Sequence, residues 1–193
     1  DHHEFKRTLD WSVSVICLLG LPSMAGLIVL AEPILLTVFA HGKFTEFDAS
    51  QSSLSLIAYA TGLVPLMLIK VLAPAFYARQ DIKTPVRIGI IAMVANMVFN
   101  LMLAPFISYV GLALATTMSG ALNAWLLYQG LKKADIYQAS RHTLLTIGRA
   151  VLAATAMAAL IWYLLPDMAM LRDSSFAVRA QTVGFVILAA VPL

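Results

Sequence analysis

Long apolar stretches alternate with short polar segments along the entire chain. The longest apolar stretches cover residues 13–31, 54–69, 88–106 and 151–165. Each approaches the roughly 20 residues that a helix needs to cross about 30 Å of hydrocarbon. Because backbone polar groups cannot stay unpaired in lipid, these stretches are predicted to form helices rather than open strands. The pattern predicts an all-α polytopic membrane protein, built as an antiparallel helix bundle.

Six helices, A to F, are predicted, of which five are complete and the sixth is truncated. In chain order they cover residues 11–31, 54–77, 85–103, 111–131, 144–165 and 178 onward. Glu32 and Pro33 are expected to end helix A, which leaves the segment 34–39 too short to span and places it at the membrane surface. Thr84 is predicted to cap the N-terminus of helix C. The turn 104–110 is short, so helices C and D are expected to be antiparallel neighbours.

Composition supports the membrane class and narrows the function. Of 193 residues, 61% are hydrophobic and 12% are charged, whereas soluble domains are about 45–50% apolar and about 25% charged. Cys17 is the only cysteine, and the four histidines form no metal-ligand set. With no catalytic triad and no phosphate-binding glycine loop, the chain is predicted not to be an enzyme. It starts without an initiator Met and stops within an apolar run, so it is expected to be a fragment.

Positive charges are distributed unevenly among the predicted loops. Nine lysines and arginines fall before helix A or in the B–C and D–E loops with their adjoining helix ends, whereas three fall in or beside the other loops. The nine are Lys6, Arg7, Arg79, Lys83, Arg87, Lys132, Lys133, Arg141 and Arg149, and the three are Lys43, Arg172 and Arg179. Since cytoplasmic loops carry the excess of basic residues, the N-terminus and the loops 78–84 and 132–143 are predicted to be cytoplasmic.

Lys70 is the basic residue that this count leaves inside a helix. It lies seven residues before Tyr77, so it is about 10 Å from the cytoplasmic end of helix B. An ionisable residue at that depth often lines an aqueous cavity. Pro65 and Pro74 on either side remove helix hydrogen bonds, and broken helices are common at transporter binding sites. The alternative is a lysine whose long stem carries its ammonium group to the membrane surface.

A second group of polar side chains lies on helices C and D. Asn96 and Asn100 are four residues apart and share one face, and Thr116, Ser119 and Asn123 share another. Counting from the turn places Asn100 and Thr116 at similar depth. Oxygen atoms at one level can bind a hard cation such as Na⁺, which makes Asn96, Asn100 and Thr116 candidate ligands. Because no carboxylate accompanies the group, hydrogen bonding between the two helices is the favoured interpretation, and the ion site is the alternative.

Two loop motifs resemble those of a known transporter family. One is FAHGKFTEFDA at residues 39–49, and the other, more specific, is KVLAPAFYARQDIKTPV at residues 70–86. Together, spaced by one helix, they resemble the MurJ/MviN family of the MOP transporter superfamily. The resemblance extends from the N-terminal segment to about Leu131 and weakens through helices E and F.

The resemblance implies that helices A to F are the ninth to fourteenth of a fourteen-helix fold. Residues 1–131 would contribute four helices to the C-terminal transport lobe, and residues 132–193 the final helix pair, which flanks a lateral groove for a lipid tail. Such proteins move lipid II, an undecaprenyl-diphosphate-linked disaccharide-pentapeptide, across the bacterial cytoplasmic (inner) membrane by alternating access. Lys70 would face the substrate cavity, and Arg79 is a second candidate contact for the phosphorylated headgroup.

Partners and competing functions follow from the same resemblance. The implied partners are lipid II, membrane lipids and proteins of cell-wall synthesis, and not nucleic acid. No cofactor is implied, and Na⁺ or the membrane potential are the candidate energy sources. One alternative function is cation-coupled export of drugs or other substrates on the same fold. Another is a membrane scaffold of the cell-wall machinery, for which Lys70 and the Asn/Thr group would be freely replaceable.

The charge distribution generates a prediction of topology. In a full-length Cys17→Ala background, a cysteine at Glu46 is expected to react with a membrane-impermeant maleimide in intact spheroplasts. Cysteines at Lys83 or Ala134 are expected to react only after lysis, because their loops are predicted to face the cytoplasm. Labelling in the reverse pattern, at equal protein amounts on an immunoblot, would contradict both the orientation and the match to the family.

Overall fold

Helices account for nearly all of the described chain. The computed structural model describes residues 2–39, 46–165 and 176–190, and no strand occurs within these ranges. The six helices are α1 (His2–Phe39), α2 (Glu46–Thr61), α3 (Leu63–Tyr77), α4 (Lys83–Lys133), α5 (Arg141–Leu164) and α6 (Phe176–Ala190). The all-α class predicted from the sequence is confirmed.

Four helical stretches of the described chain are long and apolar enough to cross a membrane. They are Glu4–Phe39, Phe47–Tyr77, Lys83–Lys133 and Arg141–Leu164, and each contains an 18-residue window whose mean hydropathy is 2.4, 2.0, 2.1 and 1.9, respectively. The third contains a reversal of chain direction and therefore supplies two passes. Val178–Ile187 within α6 is apolar but shorter. By length and composition, the described residues form a polytopic membrane bundle.

The chain reverses inside α4, at two residues with non-helical backbone angles. Ile107 has φ −126° and ψ 17°, and Ser108 has φ 48° and ψ −128°. The reversal divides α4 into a first arm (83–106) and a second arm (109–133). Beyond the turn the arms approach closely, since a Cβ atom on Gly111 would lie 2.7 Å from the backbone carbonyl of Leu103. The antiparallel pair predicted as helices C and D is confirmed, and glycine is needed at this contact.

Helix α1 is longer than predicted because Pro33 does not end it. The prediction that Glu32 and Pro33 terminate this helix before 34–39 is wrong, since α1 continues to Phe39. A proline inside a helix removes one hydrogen bond, and the Pro33 side chain is fully buried against its neighbours. The Thr37 hydroxyl also donates to the Pro33 carbonyl oxygen at 2.7 Å. Packing around the proline therefore offsets the lost bond.

The prediction that Thr84 caps the N-terminus of α4 is wrong, because the N-cap position is Ile82 and the side-chain acceptor comes from Asp81 before it. The helix begins at Lys83, and Asp81 Oδ1 accepts a hydrogen bond from the Thr84 backbone N–H at 3.0 Å. Hydrogen bonds from the Thr84 side chain and backbone lower the pKa of the Asp81 carboxyl below its ordinary value. The carboxylate therefore stays charged at neutral pH and satisfies an N–H group that the helix itself cannot.

Helix α1 packs against more of the other helices than any other element of the described residues. It packs against α2, α3, α5 and α6, while α4 packs against α2 and α3. One core cluster joins the beginning of α1 to α3, α4 and the connector 134–140. Its buried members are Leu9, Val13, Cys17, Leu72, Ala75, Phe76, Ile88, Leu127, Leu131, Ile136 and Tyr137. A smaller cluster joins α1 to α5 and α6 through Leu30, Ile161 and Val186. Since α1 contacts both proposed parts, the division at residue 131 stays a prediction.

The three segments predicted to be cytoplasmic lie at one end of the bundle. The beginning of α1, the end of α3 and the connector 134–140 meet in the first core cluster, through Leu9, Phe76 and Tyr137. At the other end, the Tyr109 hydroxyl donates to Gln51 Oε1 at 2.8 Å and joins the α4 reversal to α2. This arrangement is the one that alternating helix directions require. Which end faces the cytoplasm stays a prediction.

Candidate functional site

Lys70 lies on the side of α3 that faces away from the described bundle. The opposite side of the helix is buried, through Leu72, Ala75 and Phe76. Lys70 is exposed, and its exposed neighbours at helical spacing are Leu66, Pro74 and Tyr77. The ammonium group is therefore directed toward whatever lies beside α3 in the full-length protein. Its contact with a substrate stays a prediction.

The helix predicted over 54–77 begins earlier and is interrupted. It starts with α2 at Glu46, and the break between α2 and α3 falls at Gly62. Pro65 lies in the first turn of α3, where the N–H that proline lacks would have no partner within the helix, so it fits the restart of the helix after the break. The predicted helix B is therefore present as one membrane-length stretch, Phe47–Tyr77, but it starts earlier and is broken at Gly62. A broken helix close to the charge of Lys70 is nevertheless present, two turns before it.

At this break, two side-chain hydroxyl groups donate hydrogen bonds to a backbone carbonyl oxygen of α2. The Gly62 N–H donates to the Tyr59 carbonyl at 3.0 Å, and not to the Ala58 carbonyl one residue earlier. The Ala58 oxygen instead accepts from Thr61 Oγ1 at 2.7 Å and from Thr117 Oγ1 at 2.8 Å. A Cβ atom on Gly62 would lie 2.9 Å from Thr117 Oγ1. Glycine therefore permits the second arm of α4 to approach and complete the hydrogen bonding.

The polar residues of the two α4 arms form one chain of hydrogen bonds. Asn100 Nδ2 donates to Asn96 Oδ1 at 2.9 Å, and Asn96 Nδ2 donates to Ser119 Oγ at 3.1 Å. The Ser119 hydroxyl donates to the Thr116 carbonyl at 2.9 Å. The Thr116 hydroxyl, by contrast, donates to the Leu112 carbonyl of its own helix at 3.0 Å. The fold brings the two asparagines to Ser119, and Thr116 joins them through its backbone.

One acceptor among these hydrogen-bonded side chains has no donor within the described residues. Asn100 Oδ1 is buried, and no residue of the described ranges donates to it. Such an acceptor costs about 1–3 kcal/mol when it stays unsatisfied. A neighbouring cavity of about 330 Å³ is lined by Asn96, Thr116, Ser119 and Asn123 together with Leu66 and Ile69 of α3. Because Ile69 precedes Lys70 directly, the polar cavity and the cation are close along α3.

Arg79, the other predicted headgroup contact, lies in the turn between α3 and α4. Its backbone N–H donates to the Phe76 carbonyl at 3.0 Å, and its side chain is exposed. The next residue, Gln80, has φ 61° and so ends the helical course of the chain. Arg79 is therefore at the same end of the bundle as the basic loops, and its contact with a headgroup stays a prediction.

A polar cluster that sequence analysis did not single out ties α1 to α5. Asp10 Oδ1 accepts from the Tyr137 hydroxyl at 2.8 Å, the Thr143 hydroxyl at 2.9 Å and the Ser140 N–H at 3.3 Å. Tyr137 and Thr143 are each only 1% exposed. Ser140 Oγ also caps α5 by accepting from the Thr143 N–H at 3.2 Å. One carboxylate oxygen thus fastens the connector 134–140 and the first turn of α5 to α1.

Tyr137 reaches this carboxylate because the connector turns back into the core. Asp135 has φ 51°, and the N–H groups of Ile136 and Tyr137 then donate to the Leu131 carbonyl at 3.0 and 3.3 Å. The Tyr137 ring packs edge-on against Tyr128, with 6.3 Å between centroids. Burial, and next the hydrogen bond to Asp10, raise the pKa of the Tyr137 hydroxyl above its ordinary value. The hydroxyl therefore stays protonated and able to donate.

An apolar groove of about 760 Å³ lies between α1, α5 and α6. Its lining includes Leu18, Leu19, Pro22, Leu27, Leu30, Ile34, Ala153, Met157, Ile161 and Ile187. Ser23 is a polar residue at its wall, and its hydroxyl is already used by the Leu19 carbonyl at 2.7 Å. The groove can therefore receive an apolar chain without leaving that hydroxyl unpaired.

Together these features define a class: a multi-pass α-helical membrane protein with a broken helix, an intramembrane polar cavity and a lateral apolar groove, as transporters often have. A family model described as "Lipid II flippase MurJ" matches residues 1–179. The chain belongs to this family of transporters.

Relatives and a solved structure agree with the assignment. The chain is 50% identical over 189 residues to a "Probable lipid II flippase MurJ" of Haemophilus influenzae, covering 97% of this chain and 37% of the relative. It is 51% identical over 161 residues to the protein of the same description from Vibrio cholerae, covering 83% of this chain and 31% of the relative. A structure titled "Lipid II flippase MurJ, inward closed conformation" is similar with a TM-score of 0.77 at 23% identity, over 99% of this chain and 39% of that one. The chain thus spans about a third of the length of these curated relatives.

The Asp10 cluster generates a prediction of stability. Asp10→Ala in the full-length protein removes the acceptor of three donors, and each buried donor left unpaired costs about 1–3 kcal/mol. The melting temperature of the purified protein in detergent is expected to fall by several degrees, whereas Glu4→Ala, an exposed acid on the same helix, should leave it nearly unchanged. Tyr137→Phe should lie between the two. Equal melting temperatures for Asp10→Ala and Glu4→Ala would contradict the role assigned to the cluster.

Proposed function

We propose that the full-length protein translocates the lipid-linked peptidoglycan precursor lipid II across the cytoplasmic membrane, and that this chain supplies part of the transport path. The observation that carries the proposal is 50% identity, over 97% of the chain, to a relative described as a probable lipid II flippase. Lipid II joins an anionic, diphosphate-linked headgroup to a long apolar tail. Its path therefore needs a cation for the diphosphate and an apolar surface for the tail.

Lys70 supplies the cation in this proposal. A diphosphate carries about two negative charges, which are costly to bring into a low-dielectric cavity unless cations face them. An ammonium group binds phosphate as a compact point charge and needs no bidentate geometry. The uncovered face of α3 leaves Lys70 exposed, which such a contact requires. Arg79, nine residues further along, would meet the headgroup nearer the membrane surface.

The groove between α1, α5 and α6 supplies the apolar surface. Its walls are leucine, isoleucine, methionine and alanine side chains, which interact with a polyprenyl tail as they would with lipid. The final helix pair would then guide the tail while the headgroup moves through the cavity. Helix α1 lines the same groove, so the boundary near residue 131 stays a prediction.

The polar cavity between the α4 arms is the proposed site of a coupling Na⁺. Na⁺ prefers oxygen ligands, and Asn100 Oδ1 is a buried oxygen without a donor among the described residues. Asn96 and Thr116 line the adjoining cavity. An ion there would hold the two arms of α4 together. Leu66 and Ile69 of α3 line the same cavity, so binding of the ion would also affect the packing of α3 against α4.

Orientation completes the proposal. The N-terminal segment and the loops 78–84 and 132–143 would face the cytoplasm of a bacterium, because these segments and the adjoining helix ends carry nine of the basic residues. For a substrate that enters from that side, Arg79 and then Lys70 would lie along the inward-facing entry. Membrane lipids and proteins of cell-wall synthesis are the expected partners.

Lys70 generates the most direct prediction for activity. Lys70→Ala and Lys70→Gln are expected to abolish growth when the native flippase is depleted, whereas Lys70→Arg should retain partial function, because it keeps the positive charge. Lys83→Gln, an exposed lysine at the start of α4, is the matched control and should support growth. The measurement is complementation with protein amounts controlled by immunoblot. Healthy growth with Lys70→Leu at normal abundance would end the substrate-contact proposal and favour a lysine that only reaches the membrane surface.

Asn100 generates a separate prediction for the ion. Asn100→Ala is expected to abolish any Na⁺-dependent gain in the melting temperature of the full-length protein, measured in NaCl against choline chloride. Thr155→Ala, which removes a hydroxyl bonded to its own helix, should keep the Na⁺ response. A loss of stability that is equal with and without Na⁺ would instead assign the cluster to helix packing, with about 0.6–2 kcal/mol for each hydrogen bond.

A further inference from the structure

A second apolar groove, of about 400 Å³, is separate from the one between α1, α5 and α6. It lies where α1, α3, the second arm of α4 and α5 meet. The side chains that form its opening and its loop end are Trp125, Tyr128, Tyr137, Ala139 and Leu144. The proposed transport path uses none of these residues.

The groove exists because small side chains line a position between large ones. Ala121 and Ala124 on α4 and Ala139 in the connector leave space that a leucine or phenylalanine would fill. Trp125 is 56% exposed and Leu144 is 59% exposed, so the groove opens outward between the end of α4 and the beginning of α5. An aromatic pair such as Trp125 and Tyr128 is typical of the level of the headgroups.

Basic side chains stand at the loop end of the same opening. Lys132 follows Tyr128 by four residues and Trp125 by seven, so the three share one face of α4. Arg141 precedes Leu144 by three residues on α5. Both basic side chains are exposed.

The nearby acidic groups do not cancel these charges. Asp135 is exposed in the connector, but Lys133 stands beside Lys132 and leaves the patch net positive. Asp10 keeps its charge, since the three donors to its Oδ1 are neutral groups. Even so, Lys132, Lys133 and Arg141 outnumber Asp10 and Asp135 by three to two. The opening therefore joins an apolar slot to a cationic rim.

We propose that this groove is a binding site for an anionic glycerophospholipid of the bilayer, with an acyl chain in the groove and the phosphate against Lys132 and Arg141. Basic pockets between transmembrane helices select anionic headgroups, and the combination of slot and rim matches a molecule with one apolar and one anionic end. The Asp10 cluster fixes the connector that forms one wall, so the site is built before any lipid arrives. The bound lipid would brace the α4–α5 junction.

Native mass spectrometry of the full-length protein tests the site without requiring transport. The probes are phosphatidylglycerol and phosphatidylethanolamine with identical acyl chains, titrated onto delipidated protein. The double variant Lys132→Gln/Arg141→Gln is expected to weaken phosphatidylglycerol binding by roughly tenfold, because each basic residue contributes to attraction of an anionic headgroup. Its binding of phosphatidylethanolamine should stay unchanged. Ala121→Phe, which fills the groove from an exposed position, should weaken both lipids.

The matched control is Lys83→Gln/Arg87→Gln, a pair of exposed basic residues at the same end of the bundle but away from the groove. It should leave both lipids bound as in the unaltered protein. An equal loss of phosphatidylglycerol in the control pair would overturn the site in favour of general surface attraction. Unchanged binding of both lipids in Ala121→Phe, with an unchanged melting temperature, would overturn the acyl-chain position.

Discussion

Inside the bilayer core every backbone N–H and C=O must find a partner within the protein, because lipid offers none. This constraint accounts for the all-helical architecture, and it also explains where the helices are interrupted. At Gly62 the Ala58 carbonyl loses its usual donor and accepts from the hydroxyls of Thr61 and Thr117 instead. The break is therefore possible only beside the second arm of α4, which makes the broken helix and that arm one structural unit.

The same constraint applies to charge. An ionised carboxylate in a partly buried position is costly unless donors surround it, and Asp10 receives three of them. The donors come from the connector and from α5, so the hydrogen bonds that satisfy one carboxylate also fix the relative position of two distant parts of the chain. Through α1, the part that carries Lys70 and the part that forms the lateral groove are held as neighbours. A transporter that handles headgroup and tail at once needs such a connection.

Hydropathy predicted the helices and the reversal between C and D, because burial in lipid is a property of each segment alone. The break at Gly62 escaped prediction because it depends on Thr117, which lies 55 residues later in the chain. The Asp10 cluster escaped it for the same reason, since its donors are 127 to 133 residues away. Helical spacing correctly grouped Asn96 with Asn100, which are hydrogen-bonded to each other. The short turn between the arms correctly indicated that the two asparagines lie near Ser119. It could not indicate that the Thr116 hydroxyl would turn to its own helix.

Lys70 and its face of α3 connect this fold to its proposed activity. The central claim is that this face borders the path of the diphosphate headgroup in the full-length protein. Photo-crosslinking in cells tests it, with p-benzoylphenylalanine in place of Tyr77, on the face of Lys70, or of Trp125, an exposed aromatic residue at the same end of the bundle. The account predicts that position 77 captures the labelled disaccharide-pentapeptide lipid and that position 125 captures only phospholipid. Equal capture of the precursor at both positions, or capture at position 125 alone, would contradict it.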